Sequence, residues 1–148
     1  MASIEQLLEK SARCQISGRG GDMDDSDEEE GKEDSEEDSD EDLDHDEIIM
    51  GNATDVLNSV AKALGDSFLP LFTKIAPKLV KYLGDEHPKS DKIMVIGCLG
   101  EIMNACPSAT NNYFEHFFKI ILQHCQTSDG QMNRNCSYSI GILCSKAP

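Results

Sequence analysis

The sequence predicts an all-α fold, a solenoid of helical hairpins, interrupted by one acidic insertion without regular structure. Two observations carry this prediction. From residue 48 onward, apolar residues recur at steps of three and four, which is the spacing of one helix face. Before that point, 18 of the 26 residues in the range 22–47 are Asp or Glu. No alternation of apolar and polar residues requires a strand.

The acidity is a property of the insertion and not of the helical part. The whole chain has a formal net charge of −15, whereas residues 22–47 alone carry 18 acidic residues against one lysine. Residues 48–148 are nearly balanced, with 9 Lys or Arg and 8 Asp or Glu. A run of like charges this dense repels itself and cannot bury apolar surface. Residues 17–47 are therefore predicted to be disordered, with a field that attracts strongly basic partners.

A short helix is predicted before the insertion and five longer ones after it. The short helix lies within residues 1–16 and has Ile4, Leu7 and Leu8 on one side. The helical part, residues 48–148, is long enough for a modest core. Its helices are expected at about residues 48–64, 67–83, 91–106, 111–126 and 131–145.

Gly and Pro residues set the limits of the first two of these helices. Gly65 stops the first, and Asp66 or Ser67 is expected to cap the second. Pro77 lies inside the second helix and predicts a kink, because it removes one backbone donor. Gly84 ends the second helix.

The third helix is apolar almost all round, which predicts that neighbours cover it on more than one side. Ser90 or Asp91 is expected to cap it, and Pro107 to close it. The fourth helix is expected to open at Thr110 or Asn111. The fifth runs almost to the end of the sequence.

The helices repeat with a period of 42 to 44 residues. Ile75 corresponds to Phe117 and Lys92 to Arg134. The segment Gly97-Cys-Leu-Gly100 corresponds to Gly141-Ile-Leu-Cys144, so that Gly97 matches Gly141. Two helices per unit and a period of about 40–47 residues are typical of HEAT/armadillo-like solenoids. About two and a half repeats are predicted, in which each hairpin covers the apolar face of the next. An ordinary helical bundle is the alternative.

Several segments resemble one known family. Residues 44–50, Asp-His-Asp-Glu-Ile-Ile-Met directly after the acidic run, are similar to the end of the acidic insertion in importin-beta (karyopherin-beta) nuclear transport receptors, closest to the importin-4 branch. Residues 64–72, 96–101 and 138–143 resemble the packing motifs of the same family. The resemblance covers about residues 22–148.

The resemblance implies a binding module of a nuclear import receptor. Members of the family carry basic cargo, including core histones and ribosomal proteins, between cytoplasm and nucleus. Their partners include nucleoporins, and Ran-GTP releases the cargo inside the nucleus. Such receptors are much longer solenoids, so this chain is expected to be a fragment, a truncated paralogue or an incomplete gene product. No membrane partner and no direct nucleic-acid partner are expected.

The acidic run is the candidate site for basic cargo that the resemblance implies. Three serines inside it are candidate phosphorylation sites, because acidic residues follow each of them: Ser26, Ser35 and Ser39. The alternative is an inert linker in a non-transport HEAT-repeat scaffold or in a non-functional paralogue. The candidate cargo-binding residues are Asp24, Asp25, Asp27, Glu28, Glu29, Glu30, Glu33, Asp34, Glu36, Glu37, Asp38, Asp40, Glu41, Asp42, Asp44, Asp46 and Glu47.

The sequence carries no enzyme signature, and neither a cofactor nor a metal site is predicted. The six cysteines show no two-residue spacing of a zinc or redox motif, so they are expected to be reduced core residues. The longest uncharged apolar run has eight residues, whereas a membrane span needs about 20. The second helices of the repeats carry a further candidate surface, the lysines Lys74, Lys78, Lys81 and Lys119, whose alternative is plain solvation.

Overall fold

The structure, a computed structural model, describes residues 3–9 and 37–147. The described residues contain helices and turns and no strand, which confirms the all-α prediction. Within the same residues, no helix has both the length and the hydropathy that crossing a bilayer requires. The helices are α1 (Ile4–Leu8), α2 (Glu37–Leu64), α3 (Leu69–Lys81), α4 (Lys89–Ala105), α5 (Pro107–His124) and α6 (Gly130–Lys146).

The short helix α1 begins with a capping box. The hydroxyl of Ser3 accepts a hydrogen bond from the backbone N–H of Gln6 at 3.2 Å, and the Gln6 amide oxygen accepts one from the Ser3 N–H at 2.9 Å. The helix packs on α2 and α3 through Leu8, which is 3% exposed. The Tyr82 hydroxyl donates to the Leu8 carbonyl at 2.5 Å. A helix too short to be stable alone is thus held by tertiary contacts.

Helix α2 begins at Glu37, eleven residues before the predicted start at residue 48. Residues 37–47, which the sequence places in the acidic insertion, have a helical backbone in the structure, and residues 17–36 lie outside the described residues. Apolar periodicity reports only on turns that face a core, and these early turns are acidic. Carboxylates near a helix N-terminus interact favourably with its dipole, so the charge that argues against burial does not prevent the helix. The predicted end at residue 64 is confirmed, since Gly65 adopts a φ of +55°.

The turn between α2 and α3 corrects one predicted cap. Residues 65–68 form a 3₁₀ turn, and Phe68 stands at the N-cap of α3 without a capping side chain. The Asp66 carboxylate instead accepts the backbone N–H of Ser108, in the first turn of α5, at 2.8 Å. That hydrogen bond lowers the pKa of Asp66. Asp66 therefore serves the N-terminus of α5, in the neighbouring repeat, and not that of its own hairpin.

Two further boundaries differ from the prediction by a few residues. Helix α4 begins at Lys89 after Pro88, so neither Ser90 nor Asp91 is its cap. Pro107 occupies the first position of α5, where the missing N–H costs nothing, and α5 therefore starts before Thr110. Asp129 caps α6 by accepting the N–H groups of the next helical residues at 2.8 and 3.0 Å.

The first helices of successive hairpins, α2, α4 and α6, stack side by side with α4 in the middle. This arrangement explains why α4 is apolar all round. Three hydrogen bonds to backbone carbonyls cross the stack, from Cys98 to Thr54 (3.9 Å), from Asn135 to Ile93 (2.9 Å) and from Ser139 to Ile96 (3.0 Å). They join positions 44, 42 and 43 residues apart, which confirms the predicted period.

An aromatic cluster joins the second helices, α3 and α5. Phe72 of α3 is fully buried, and its ring lies 5.4 Å from that of Tyr113 and 5.9 Å from that of Phe117. Tyr113 and Phe117 stack on each other at 5.4 Å. This cluster is the main bridge between the two second helices, which otherwise contact each other much less than the first helices do.

Candidate binding surfaces

The structure describes the acidic run only from Glu37 onward. The candidate residues from Asp24 to Glu36, with Ser26 and Ser35, lie outside the described residues. The backbone of the remaining candidate residues forms the first turns of α2, a helical segment about 16 Å long at 1.5 Å per residue. These residues are Glu37, Asp38, Ser39, Asp40, Glu41, Asp42, Asp44, Asp46 and Glu47. Their charges are therefore attached to a helix that continues directly into the core of the first repeat.

The end of the run reaches the packed core at Asp46. Glu47 is exposed, whereas Asp46 is half-buried. Burial raises the pKa of Tyr82 to about 12, and the negative charges of Asp91 and Asp46 add to that effect. The Tyr82 hydroxyl consequently keeps its proton at neutral pH and keeps its hydrogen bond to α1.

The first helices form one polar groove of about 330 Å³. At its side, Glu101 accepts hydrogen bonds from the Lys62 ammonium and the Tyr138 hydroxyl, both at 2.7 Å. These two donors lower the pKa of Glu101. The groove is lined by Gly51, Thr54, Asp55, Asn58, Met94, Gly97, Cys98, Glu101, Asn135 and Tyr138. Glu101 is already paired, and Asp55 is the lining carboxylate that forms no ion pair with another described residue.

Three cavities of about 360, 280 and 600 Å³ lie along the second helices α3 and α5, and we call them together the second-helix groove. The first two share Pro77, and the last two share His116. The central cavity is lined by Ala76, Pro77, Val80, Tyr113, His116 and Phe117, so its wall is mostly apolar.

The four lysines predicted on this surface have different environments in the structure. Lys78 pairs with Glu9 at 2.8 Å, which raises its pKa, and it is a structural contact to α1. Lys74, Lys81 and Lys119 are exposed. Lys81 lines the first cavity, and Lys119 lines the third, whose lining residues all belong to α5. The sequence indicated the lysines, but the aromatic wall of the central cavity follows only from the packing of α3 against α5.

Three cysteines are buried core residues, Cys98, Cys106 and Cys136. Cys125 is half-buried and Cys144 is exposed, so the expectation of a core position is wrong for Cys144, and Cys14 lies outside the described residues. Burial raises the pKa of the Cys98 thiol to about 12 and that of Cys136 likewise, with the neighbouring Cys125 thiol adding to the second shift. A thiol with such a pKa is a poor nucleophile at neutral pH. In the part of the chain that the structure describes, no three His, Cys, Asp or Glu side chains are placed to hold a metal ion.

Comparison with known proteins gives consistent matches. A family model described as importin repeat 6 matches residues 3–85, from α1 through the acidic run to the end of α3. The chain is 32% identical over 140 residues to a probable importin subunit beta-4 of Schizosaccharomyces pombe, and 25% identical over 100 residues to importin-4 of Homo sapiens. These alignments cover 95% and 67% of the chain, but only 13% and 9% of the two relatives.

Proposed function

The chain belongs to the importin-beta family of nuclear transport receptors, and we propose that it is a cargo-binding segment whose acidic run holds basic proteins such as core histones or ribosomal proteins. The observation that carries this proposal is the position of the acidic run. It is concentrated in one stretch, and its last eleven residues are a direct extension of helix α2. A field of one sign, held on a solenoid, raises the encounter rate with proteins of the opposite sign.

The binding mode follows from the charge and has a clear salt dependence. Contacts between solvated charges are screened beyond the Debye length, which falls from about 10 Å at 0.1 M salt to about 3 Å at 1 M. The part of the run before Glu37 and the part on α2 would both contribute. The α2 part would contribute more per charge, because its backbone is already ordered and loses less conformational freedom on binding.

The test measures binding of purified core histones to the full chain at low and high salt. We expect capture at 0.1 M salt and its loss at 1 M. Converting every Asp and Glu from 24 to 36 to Asn or Gln is expected to weaken binding about tenfold, because 9 of the 18 acidic residues of the run lose their charge. Equal affinities of this variant and the natural chain would instead support the inert linker of a scaffold protein.

Two matched variants test whether the position of the neutralised acidic residues matters for histone binding, and not only their number. One variant neutralises four acidic residues of α2, Glu37, Asp38, Asp40 and Glu41. The other neutralises four exposed acidic residues of the helical part: Asp55, Asp85, Glu86 and Glu115. Both lose the same net charge. The proposal requires the first variant to bind histones more weakly than the second.

Phosphorylation is expected to strengthen this binding. Each phosphate on Ser26, Ser35 or Ser39 would add about −1.5 to −2 charge to the run. Treatment with an acid-directed kinase should therefore tighten histone binding by the natural chain. The triple Ser→Ala variant should show no change after the same treatment. If treated natural chain and treated variant bind equally, the serines have no such role.

The transport cycle belongs to the proposal for the longer proteins of this family. Nucleoporins as partners, release by Ran-GTP, and residence in both cytoplasm and nucleus are what the family resemblance implies. We propose no catalytic step, so binding and release would be the whole activity. The histone experiment tests only the cargo-binding part, which can be measured on this chain by itself.

A further inference from the structure

We propose that copies of this chain bind each other head to tail, with the outer face of α2 in one copy docked on the outer face of α6 in the next. Each outer face is the side turned away from α4. The outer face of α2 consists of Ile48, Asn52, Val56, Ser59 and Ala63, and that of α6 consists of Arg134, Ser137, Tyr138, Gly141 and Ser145, all of them exposed. This inference goes beyond the proposed function, because the contact joins copies of the chain and involves no cargo.

The same contact already occurs twice in the stack of first helices. Helices α4 and α6 have 17 residues each, and α6 begins 41 residues after α4. The Cys98 thiol of α4 donates to the Thr54 carbonyl of α2, and the Ser139 hydroxyl of α6 donates to the Ile96 carbonyl of α4. These two donors are also 41 residues apart, so they occupy equivalent positions. Each first helix therefore has one face that accepts the next helix and an opposite face that docks on the previous one.

The outer face of α6 has the form of the α4 face that α6 covers. At the 41-residue spacing, Gly141 is equivalent to Gly100, and not to Gly97 as the sequence motif indicated. A Cβ added at Gly100 would lie 3.2 Å from the Cβ of Ser139. One added at Gly141 would meet no described atom within 4 Å, apart from its chain neighbours and its own helix backbone. The space that Ser139 fills beside Gly100 is thus open beside Gly141.

Val56 is the residue of α2 that would enter this space. The acceptor carbonyls of Thr54 and Ile96 are 42 residues apart, so α2 is in register with α4 at that spacing. Val56 therefore has the position that Cys98 has on α4 and Ser139 on α6. It is 47% exposed, although both of its equivalents are buried. An exposed apolar residue at a position that is otherwise covered favours a further contact there.

Two neighbours of Val56 fit the same contact. Asn52 is equivalent to Asn135, whose side-chain amide donates to the Ile93 carbonyl across the stack at 2.9 Å. Asn52 is exposed and would donate to α6 of another copy in the same way. Ile48, one turn earlier, is 62% exposed and would bury its side chain on that helix. The outer face of α2 thus supplies one amide donor and two apolar side chains.

The second layer of helices would continue in the same way. Phe72 and Ala76 of α3 face α5 and are buried, whereas their equivalents 42 residues later, Phe114 and Phe118, are only half-buried. Leu122, one turn after Phe118, is 47% exposed. The short helix α1 packs beside α2 and α3. In a second copy that docks through α2, α1 would lie against Phe118 and Leu122 and shield them from water.

The arrangement predicts how the association grows and how it depends on salt. Because the contact joins two different faces, each added copy leaves one face of each kind open, and assembly continues past the dimer. Each copy has a net charge of −15, so copies repel each other at low salt. Salt screens this repulsion and should therefore strengthen the association, whereas it weakens histone binding.

The experiment measures the mass of the full chain by sedimentation equilibrium at increasing protein concentration. The buffer holds a thiol reductant and about 1 M salt, where the Debye length is about 3 Å. We expect the natural chain to exceed the mass of a dimer as its concentration rises. Val56→Glu and Gly141→Glu each place a charge at the centre of one face and should weaken association by about tenfold or more. Both positions are exposed, and circular dichroism checks that the helices remain.

Mixing the two variants tests the head-to-tail arrangement directly. The Val56→Glu chain keeps its outer face of α6, and the Gly141→Glu chain keeps its outer face of α2. Together they should form a dimer that grows no further. A contact between two identical faces would leave one of the variants able to dimerise alone. That result, or a mixture that stays monomeric, would overturn the proposal.

The matched control is Thr73→Glu, which adds the same charge at an exposed residue of α3 outside both faces. The equivalent residue of α5, Glu115, is already a glutamate, so the helix has room for the side chain. This control should associate as strongly as the natural chain. An equal loss in all three variants would mean a general charge effect and would contradict the proposal, as would a natural chain that stays monomeric at every concentration.

Discussion

A Phe72→Ala variant is expected to lose about 3–5 kcal/mol of unfolding free energy, as large-to-small changes of fully buried aromatic residues do. Phe72 has no exposed surface, and its ring contacts those of Phe68, Tyr113 and Phe117. Removing it would open a cavity in the main bridge between α3 and α5. Since native domains are stable by about 5–15 kcal/mol in total, the loss should be visible as a fall in melting temperature of about 10–20 °C.

Phe118→Ala is the matched control for this prediction. Phe118 lies one helical turn after Phe114, and the centres of the two stacked rings are 5.6 Å apart. Phe118 is only half-buried. Truncating it removes the same atoms but less buried area, and the expected loss is about 1 kcal/mol. Circular dichroism during thermal unfolding measures both variants. Equal melting temperatures would show that the aromatic cluster does not bridge the second helices.

Much of the fold could be predicted because its helices are amphipathic and end at Gly or Pro. Gly65 marks the end of α2 in sequence and in structure. The period could be read because each repeat must bury the same face against its neighbour. The hydrogen bond from Asn135 to Ile93 shows that period directly, as a contact between equivalent turns of α4 and α6.

What the sequence did not predict depends on interactions between segments far apart in the chain. Asp66 looks like a local cap, but its partner is the N–H of Ser108, 42 residues later. The first turns of α2 have no apolar face, so periodicity could not detect them although the backbone is helical from Glu37. In both cases the local pattern is compatible with two structures, and tertiary contacts or helix electrostatics decide between them.

The candidate surfaces, like the fold, could be predicted only in part from the sequence. Lysines on the second helices could be identified from their positions in the repeat, yet the pairing of Lys78 with Glu9 requires α1 to fold back onto α3. The central cavity of the second-helix groove could not be inferred, because its wall combines Val80 with Tyr113, residues from different hairpins. A binding surface between repeats is a property of their relative placement, which residue spacing alone does not give.

Two helical glycines, Gly100 of α4 and Gly141 of α6, should respond in opposite ways to the same substitution. A Cβ added at Gly100 would lie 3.3 Å from the Ser139 Cα and 3.2 Å from its Cβ, and it would collide with the hydroxyl that donates to Ile96. Gly100→Ala is therefore expected to destabilise the chain by about 1–3 kcal/mol, the usual cost of overpacking a close contact. The measurement is urea unfolding followed by circular dichroism.

Gly141→Ala provides the control, because the change is chemically identical and also lies inside a helix. Apart from its chain neighbours and the backbone of its own helix, no described atom lies within 4 Å of a Cβ added at Gly141, and the residue is exposed on α6. Alanine there should stabilise the chain by about 0.5–1 kcal/mol, since it lowers the entropy lost on forming the helix. The difference arises because α6 covers Gly100 of α4, while nothing described covers Gly141. If both variants unfold at the same urea concentration, α4 and α6 do not pack as closely as the hydrogen bonds between them indicate.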